Sequence, residues 1–368
     1  MKTQRNAVII LAMAAVITDC GRADELILDP RVQPLAFRAP GRVTLLPDGR
    51  FACVSRGVYH ISDDDGMTWT PRITIPRGAG PVIDSGLLVA DKGKGRVLVY
   101  RDDAGMHLER APDNMPLPGA RLQMWCVRST DGGKTWQNPQ RLIDGYCGAA
   151  IGGICLNDNR LVIPLQDLRY EPPRHVTVVF SSDDGGRSWY QSDDLDIGGH
   201  GIEDGSFEPT VAERQDRSLL MFLRTTRDAI WQTQSTDGGR SWTSPKPAGI
   251  AASNSPSFLL RLHSGRLALV WNPVNPTDGR DWPRRIKPRY AKQPDSVYRE
   301  ELLFALSDDD GATWTEPVVI AKQPGARLRY AYMLELQPGE IRLALRGAWY
   351  QLNEADFVRP QAVSARLE

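Results

Sequence analysis

The chain has 368 residues, 41% of them hydrophobic and 24% charged, which is enough apolar material for a sizeable core and excludes the weakly hydrophobic, highly charged class of disordered chains. Its 45 lysines and arginines balance 45 aspartates and glutamates. That balance excludes an overall basic field drawing the protein to nucleic acid or anionic membranes, and it fits a small neutral or singly charged ligand.

At the N-terminus Lys2 and Arg5 precede an apolar stretch from Ala7 to Ile17, and Gly21 and Ala23 supply the small residues of a cleavage site. This is the pattern of a secretory signal over residues 1–23, and it predicts export to the periplasm or the exterior. The apolar stretch is too short to span roughly 30 Å of hydrocarbon as a helix. Asp19 before Cys20 is larger and more polar than a lipid-attachment signal takes. No later segment is apolar for long enough to cross a membrane, so no transmembrane segment is expected.

From residue 24 onward two elements alternate. The first is an apolar run, a tight turn and a second apolar run: VTLLPDGRFACV, LLVADKGKGRVLVY, GICLNDNRLVIPL, TVAERQDRSLLMFL, FLLRLHSGRLALVW and YMLELQPGEIRLAL. Asp-Gly, Ser-Gly and Asn-Asp turns between such runs are hairpin signals. The second is Ser-x-Asp-x-Gly-x-Thr/Ser-Trp, found from Ser62, Ser129, Ser182, Ser235 and Ser307. Intervals of 67, 53, 53 and 72 residues between those serines are too long for helical repeats and suit one four-stranded propeller blade each. Six hairpins and five boxes predict an all-β, six-bladed propeller over residues 24–368, with the last blade irregular.

In each box the aspartate can accept N–H bonds across the turn, the glycine permits positive φ, and the tryptophan can bury its ring between strands. A calcium-loop reading fails because no box has the Asp-x-Asp-x-Asp-Gly register followed six residues later by Glu. The boxes are therefore expected to be structural. Cys53, Cys126, Cys147 and Cys155 have no paired metal spacing, and their number leaves both disulfides and buried thiols open.

Repeated Asp boxes on a six-bladed propeller resemble the sialidase (neuraminidase) superfamily, the BNR-repeat proteins, along essentially the whole chain after the signal. The resemblance implies an exo-glycoside hydrolase of retaining mechanism that clamps the carboxylate of a terminal acidic sugar with three arginines. Arg38 in AFRAPGRVTLL resembles the family's Phe/Tyr-Arg-Ile-Pro segment, with Ala39 for Ile. Glu208 and Arg224, in SFEPTVAERQDRSLLMFLRTT, resemble its Glu-then-Arg segment, and Arg299 in YREELLFALSDDDG resembles the third arginine. Three planar guanidiniums suit one carboxylate because each fork meets it bidentately.

Tyr330, nine residues before the hairpin Gly339, resembles the nucleophile, and Tyr332 on the same strand face competes with it. A neutral phenol relayed to Glu208 avoids the repulsion that a carboxylate nucleophile would meet at an anionic sugar. The chain departs from the family where the acid/base aspartate is due, because five residues separate Arg56 from the first box at Ser62. Asp84, Asp102, Asp103 and His60 are the substitutes on offer. The Pro- and Arg-rich stretch between Trp271 and Arg299 is too long for a plain connector. It reads as a rim loop with Trp282 and Tyr290 as sugar-stacking platforms.

The partner expected is therefore a glycan or small sugar, with no nucleic acid, no metal and no organic cofactor implied. A glycan-binding propeller without turnover, and an exo-glycosidase for another sugar, are the competing expectations.

Overall fold

In a computed structural model of the protein, residues 25–36, 38–78, 80–112, 115–287 and 291–358 are described. The expected signal segment, Cys20 and Tyr290 lie outside them.

The strands fall into six main sheets. Blade 1 runs through Thr44–Leu45, Phe51–Ser55, Val58–Ser62 and Thr70–Thr74, and blade 2 through Gly86–Ala90, Arg96–Arg101, Met124–Ser129 and Gln137–Ile143. Blade 3 comprises Ile154–Cys155, Leu161–Tyr170, Pro173–Ser182 and Tyr190–Gln191, and blade 4 comprises Phe207–Glu213, Leu219–Arg224, Ala229–Ser235 and Lys246–Ala251. Phe258–Arg261, Leu267–Trp271, Glu301–Ser307 and Val318–Lys322 make blade 5, and Tyr332–Gln337, Glu340–Leu345 and Ala348–Asn353 begin blade 6. Each is antiparallel and pairs neighbours in chain order. The six predicted hairpins are the innermost two strands of the six blades, and the chain is a six-bladed propeller.

The sixth blade takes its outer strand from the other end of the chain. Gln33–Leu35 pairs with Ala348–Asn353, matching Gln33 to Gln351 and Leu35 to Trp349. Just before it, Ile27–Leu28 adds a fifth strand to blade 5, beside Val318–Lys322. This closure explains the missing sixth box. Every box joins the third strand of a blade to its outer strand, and blade 6 has no such hairpin to close.

All five boxes share one hydrogen-bond pattern. The serine hydroxyl donates to the aspartate at 2.8–2.9 Å and accepts the glycine N–H at 2.8–2.9 Å. The aspartate also accepts the N–H of the following Thr or Ser at 2.8–3.0 Å. The tryptophan then packs between blades: Trp136 lies edge-on to Tyr59 of blade 1, with ring centroids 5.7 Å apart, and Trp314 lies 6.0 Å from Phe222 of blade 4.

The core follows from this geometry. Apolar residues of each blade pack against the next in six separate layers around the ring, for example Val54 and Ile61 against Leu98 and Val127, and Val162 and Val179 against Met221 and Leu223. The innermost strands of all six blades line one axial cavity of about 390 Å³. Cys53, Cys126, Cys147 and Cys155 are free thiols. Burial pushes Cys53, Cys126 and Cys147 up to about 12, so they remain unreactive thiols. Among the described residues no helix is long and apolar enough to cross a membrane.

The boxes make stability depend on acid. The Thr135 and Thr313 hydroxyls hold Asp131 and Asp309 down at about 2; in Asp184 burial pushes upward but the Ser188 hydroxyl and amide outweigh it, again leaving about 2. Asp64 and Asp237 are also lowered. Depressed carboxylates stabilise the fold fully above the unfolded-state value near 4 and lose that contribution as pH falls towards 2. Urea unfolding followed by circular dichroism should therefore show stability falling between pH 4 and 2, with a shallower fall in Asp131→Asn.

Candidate active site

At the end of the ring where the inner strands begin, residues from blades 2 to 6 and their connections enclose a cavity of about 340 Å³. Blade 4 contributes a paired glutamate and arginine. Phe207 opens its inner strand opposite Arg224, the last residue of the neighbouring strand, and the register then slips between Phe207 and Thr210. Glu208 sits in that bulge with φ of 46°, which turns its side chain out of the strand's alternation. Its amide donates to Gln166 Oε1 of blade 3 at 2.8 Å.

Glu208 and Arg224 are each 7% exposed and form an ion pair. Arg224 also donates through Nε to Asn254 Oδ1 at 2.7 Å, and its guanidinium lies 4.5 Å from the Phe207 ring centroid. Burial pulls the Arg224 pKa down, and the Glu208 carboxylate together with Tyr330 and Glu203 leaves it raised overall. The second Glu208 oxygen accepts the Tyr330 hydroxyl at 2.6 Å.

Tyr330 stands just before the inner strand of blade 6 with φ of 57°, an uncommon conformation for a bulky residue. Its neighbour Leu328 is buried, donates its N–H to Arg299 O at 2.6 Å and accepts from Asn272 at 2.7 Å. That anchor fixes where the tyrosine emerges. The residue is 42% exposed while its hydroxyl is turned onto Glu208. Burial of the phenol, then the Glu208 carboxylate, raise its pKa, with Arg224 pulling the other way. The phenol is therefore neutral at ordinary pH, with an acceptor in place for its proton.

Arg299 completes the group. It is 9% exposed, its guanidinium donates to Asn254 O, and its Nε has no partner. Burial, then the adjacent Arg224 charge, push it down to about 9, so it is still cationic at pH 7. Among the described residues no carboxylate pairs with it. A buried cation with an orphan donor at a cavity wall is built to receive an anion.

Of the three expected arginines, Arg224 and Arg299 meet and Arg38 does not. Arg38 is exposed and outside the cavity lining. Three residues on, at Gly41, an added Cβ would stand 2.5 Å from Val54 O. The chain crosses tightly against blade 1 there and leaves Arg38 before the crossing. Arg42 turns inward instead, donating to Ile151 O at 2.7 Å and lying 4.3 Å from the Tyr332 ring centroid. Tyr332, the competing tyrosine, accepts the Val43 N–H at 3.1 Å and lines the axial cavity, away from Glu208.

The four substitutes for the acid are not brought to Tyr330. Asp84 and Asp103 line a neighbouring groove with Arg101, Asp102 caps the Gly105 amide at 2.9 Å, and His60 pairs with Cys53 and Pro71 inside blade 1. Within the rim insertion, Arg285–Lys287 and Ala291–Asp295 form a small hairpin. Trp282 packs on Tyr298 with centroids 4.7 Å apart and does not face the cavity.

Several lining residues had no signal in the sequence. Glu203 lies in the connection from blade 3 to blade 4, half-buried, and is the second carboxyl of the lining; Arg285, Arg327 and Arg329 add further charge. His175 is buried between Tyr146 and Phe207, and burial pushes it down to about 4, so it is neutral.

A six-bladed propeller with an arginine-rich cavity holding a tyrosine–glutamate pair is a sialidase-like architecture. The family described as a BNR repeat-like domain matches residues 119–343, and the chain belongs to that family. No curated protein matches it. Among solved structures it is similar to a protein of unknown function from Dyadobacter fermentans, at 18% identity and TM-score 0.59, covering 88% of this chain and 100% of that one. The Hadza microbial sialidase Hz136 is also 18% identical, with TM-score 0.58 over 89% of this chain and 67% of that one. An intramolecular trans-sialidase from Ruminococcus gnavus is 15% identical, with TM-score 0.53 over 89% and 96%. These likenesses concern the fold.

The buried pair makes a stability prediction. Glu208→Ala leaves the Arg224 guanidinium buried without its carboxylate and should cost about 3 kcal/mol or more in urea unfolding, whereas Glu208→Gln, which keeps an acceptor and the shape, should cost less.

Proposed function

We propose that the protein is an exported, retaining exo-glycoside hydrolase that removes a terminal acidic sugar, with sialic acid the leading candidate. The observation that carries this reading is the Tyr330–Glu208–Arg224 chain of contacts beside Arg299, whose buried Nε is unpartnered and which has no carboxylate partner among the described residues.

Arg224 and Arg299 hold the sugar carboxylate. The Tyr330 oxygen attacks the anomeric carbon as the bond to the departing sugar oxygen breaks, and the phenol proton passes to Glu208. The departing oxygen needs a proton of its own, and Glu203, the remaining carboxyl of the lining, supplies it. In the second step water attacks the same carbon, Glu203 takes its proton, and the tyrosine leaves and recovers its proton from Glu208. Two displacements on one carbon retain configuration.

The displaced positions of Asp84, Asp102 and Asp103 favour one alternative, a propeller that binds an acidic glycan without turning it over. Hydrolysis of an aryl sialoside separates the two. Wild type should release phenol, and Tyr330→Phe should lose on the order of a thousandfold or more in kcat. Binding without release establishes the binding protein, and release from uronides or neutral glycosides alone changes the sugar. Glu203→Gln should impair sialyllactose, whose leaving group needs protonation, much more than the aryl sialoside, read as the ratio of the two kcat/KM values.

A further inference from the structure

The chain as a whole is neutral, but this cavity is not. Arg110, Arg224, Arg285, Arg299, Arg327 and Arg329 line it, against Glu203 and Glu208 alone. Glu208 is committed to Arg224 and Tyr330. Arg285, Arg299, Arg327 and Arg329 have no ion-pair partner among the described residues. The buried Arg224 and Arg299 are the two guanidiniums assigned to the sugar carboxylate. Three unpaired guanidiniums remain on the rim.

Their placement is built into the fold. Arg327 and Arg329 flank Leu328, whose side chain is buried and whose amide and carbonyl are both bonded. Leu328 is buried between them, and both arginines are exposed and line the cavity. Arg329 lies over the Tyr330 ring, 5.7 Å from its centroid, which places one rim charge against the tyrosine. Arg285 arrives separately, on the hairpin of the blade 5 insertion. Two independent segments thus bring like charges to one edge, an arrangement that costs repulsion unless an anion sits between them.

We propose that the ligand carries a second oxyanion near the terminal carboxylate, either a sulfate ester or the carboxylate of a neighbouring acidic sugar, and that Arg285, Arg327 and Arg329 form its subsite. This inference rests on the reading of the cavity as an acidic-sugar site and narrows its substrate to doubly anionic glycan ends. Planar guanidinium forks suit sulfate and carboxylate alike.

Calorimetric titration with 3′-sialyllactose, its 6-sulfated form, α2,8-linked disialyllactose and inorganic tripolyphosphate tests it. At least one doubly anionic glycan should bind about tenfold or more tightly than 3′-sialyllactose, and whichever does so identifies the source of the second anion. In Arg285→Gln/Arg327→Gln/Arg329→Gln that ratio should collapse to about one. These residues are exposed, so the triple variant should fold, which circular dichroism checks; steeper salt dependence of the doubly anionic ligand in wild type is a second readout. Equal affinities for all the sialosides overturn the inference and leave the acidic-sugar reading standing. Tripolyphosphate binding that the triple variant loses, with no sialoside bound, keeps the rim subsite and removes sialic acid. Failure of every ligand overturns both.

Discussion

The Glu208 carboxylate is the interaction on which the candidate site depends. A carboxylate this buried is costly unless both oxygens are engaged, and here one faces the Arg224 guanidinium and the other the Tyr330 hydroxyl. The backbone of the same residue is tied to Gln166. One residue therefore links blades 3, 4 and 6 at the mouth of the ring. Glu208 and Tyr330 both adopt positive φ, a conformation of the order of 1–3 kcal/mol above the ordinary regions for residues of this kind. Two such residues in direct contact are tolerable because the surrounding blades hold each in place.

The propeller separates stability from chemistry. Each blade packs on the next through an apolar layer, and each of five outer hairpins is closed by the same Ser, Asp, Gly and Trp. None of those box residues lines the cavity. What differs between blades gathers at the other ends of the strands: the bulge at Glu208, the bent segment before Tyr330, the connection bearing Glu203 and the insertion bearing Arg285. Because those segments carry little of the core, they are free to accumulate charge that a packed layer would not accept.

Much of the site was legible because it lies on hairpins. Glu208 and Arg224 flank a recognisable turn, and antiparallel pairing makes the two ends of a hairpin neighbours, as the Phe207 and Arg224 pairing shows. Arg299 and Tyr330 could likewise be placed from their distance to the next box or hairpin. Arg38 could not, since it lies in irregular chain before the first strand of blade 1, where no local pattern says whether a side chain reaches the cavity. Arg327, Arg329 and Glu203 sit in irregular connections, where no periodicity says which way a side chain points.

The sequence by itself determined the number of blades, the order of their strands and the structural role of the boxes, because turn chemistry and alternation are local and repeat with the chain. It also contained the closing strand without revealing it: Gln33–Leu35 pairs with Ala348–Asn353 across nearly the whole length of the protein. Only the tertiary structure decided which arginines share a cavity, which tyrosine reaches Glu208, and that a neutral chain keeps a strongly cationic pocket. Those outcomes depend on distances between blades far apart in sequence, set by the closure of the ring and not by any segment alone.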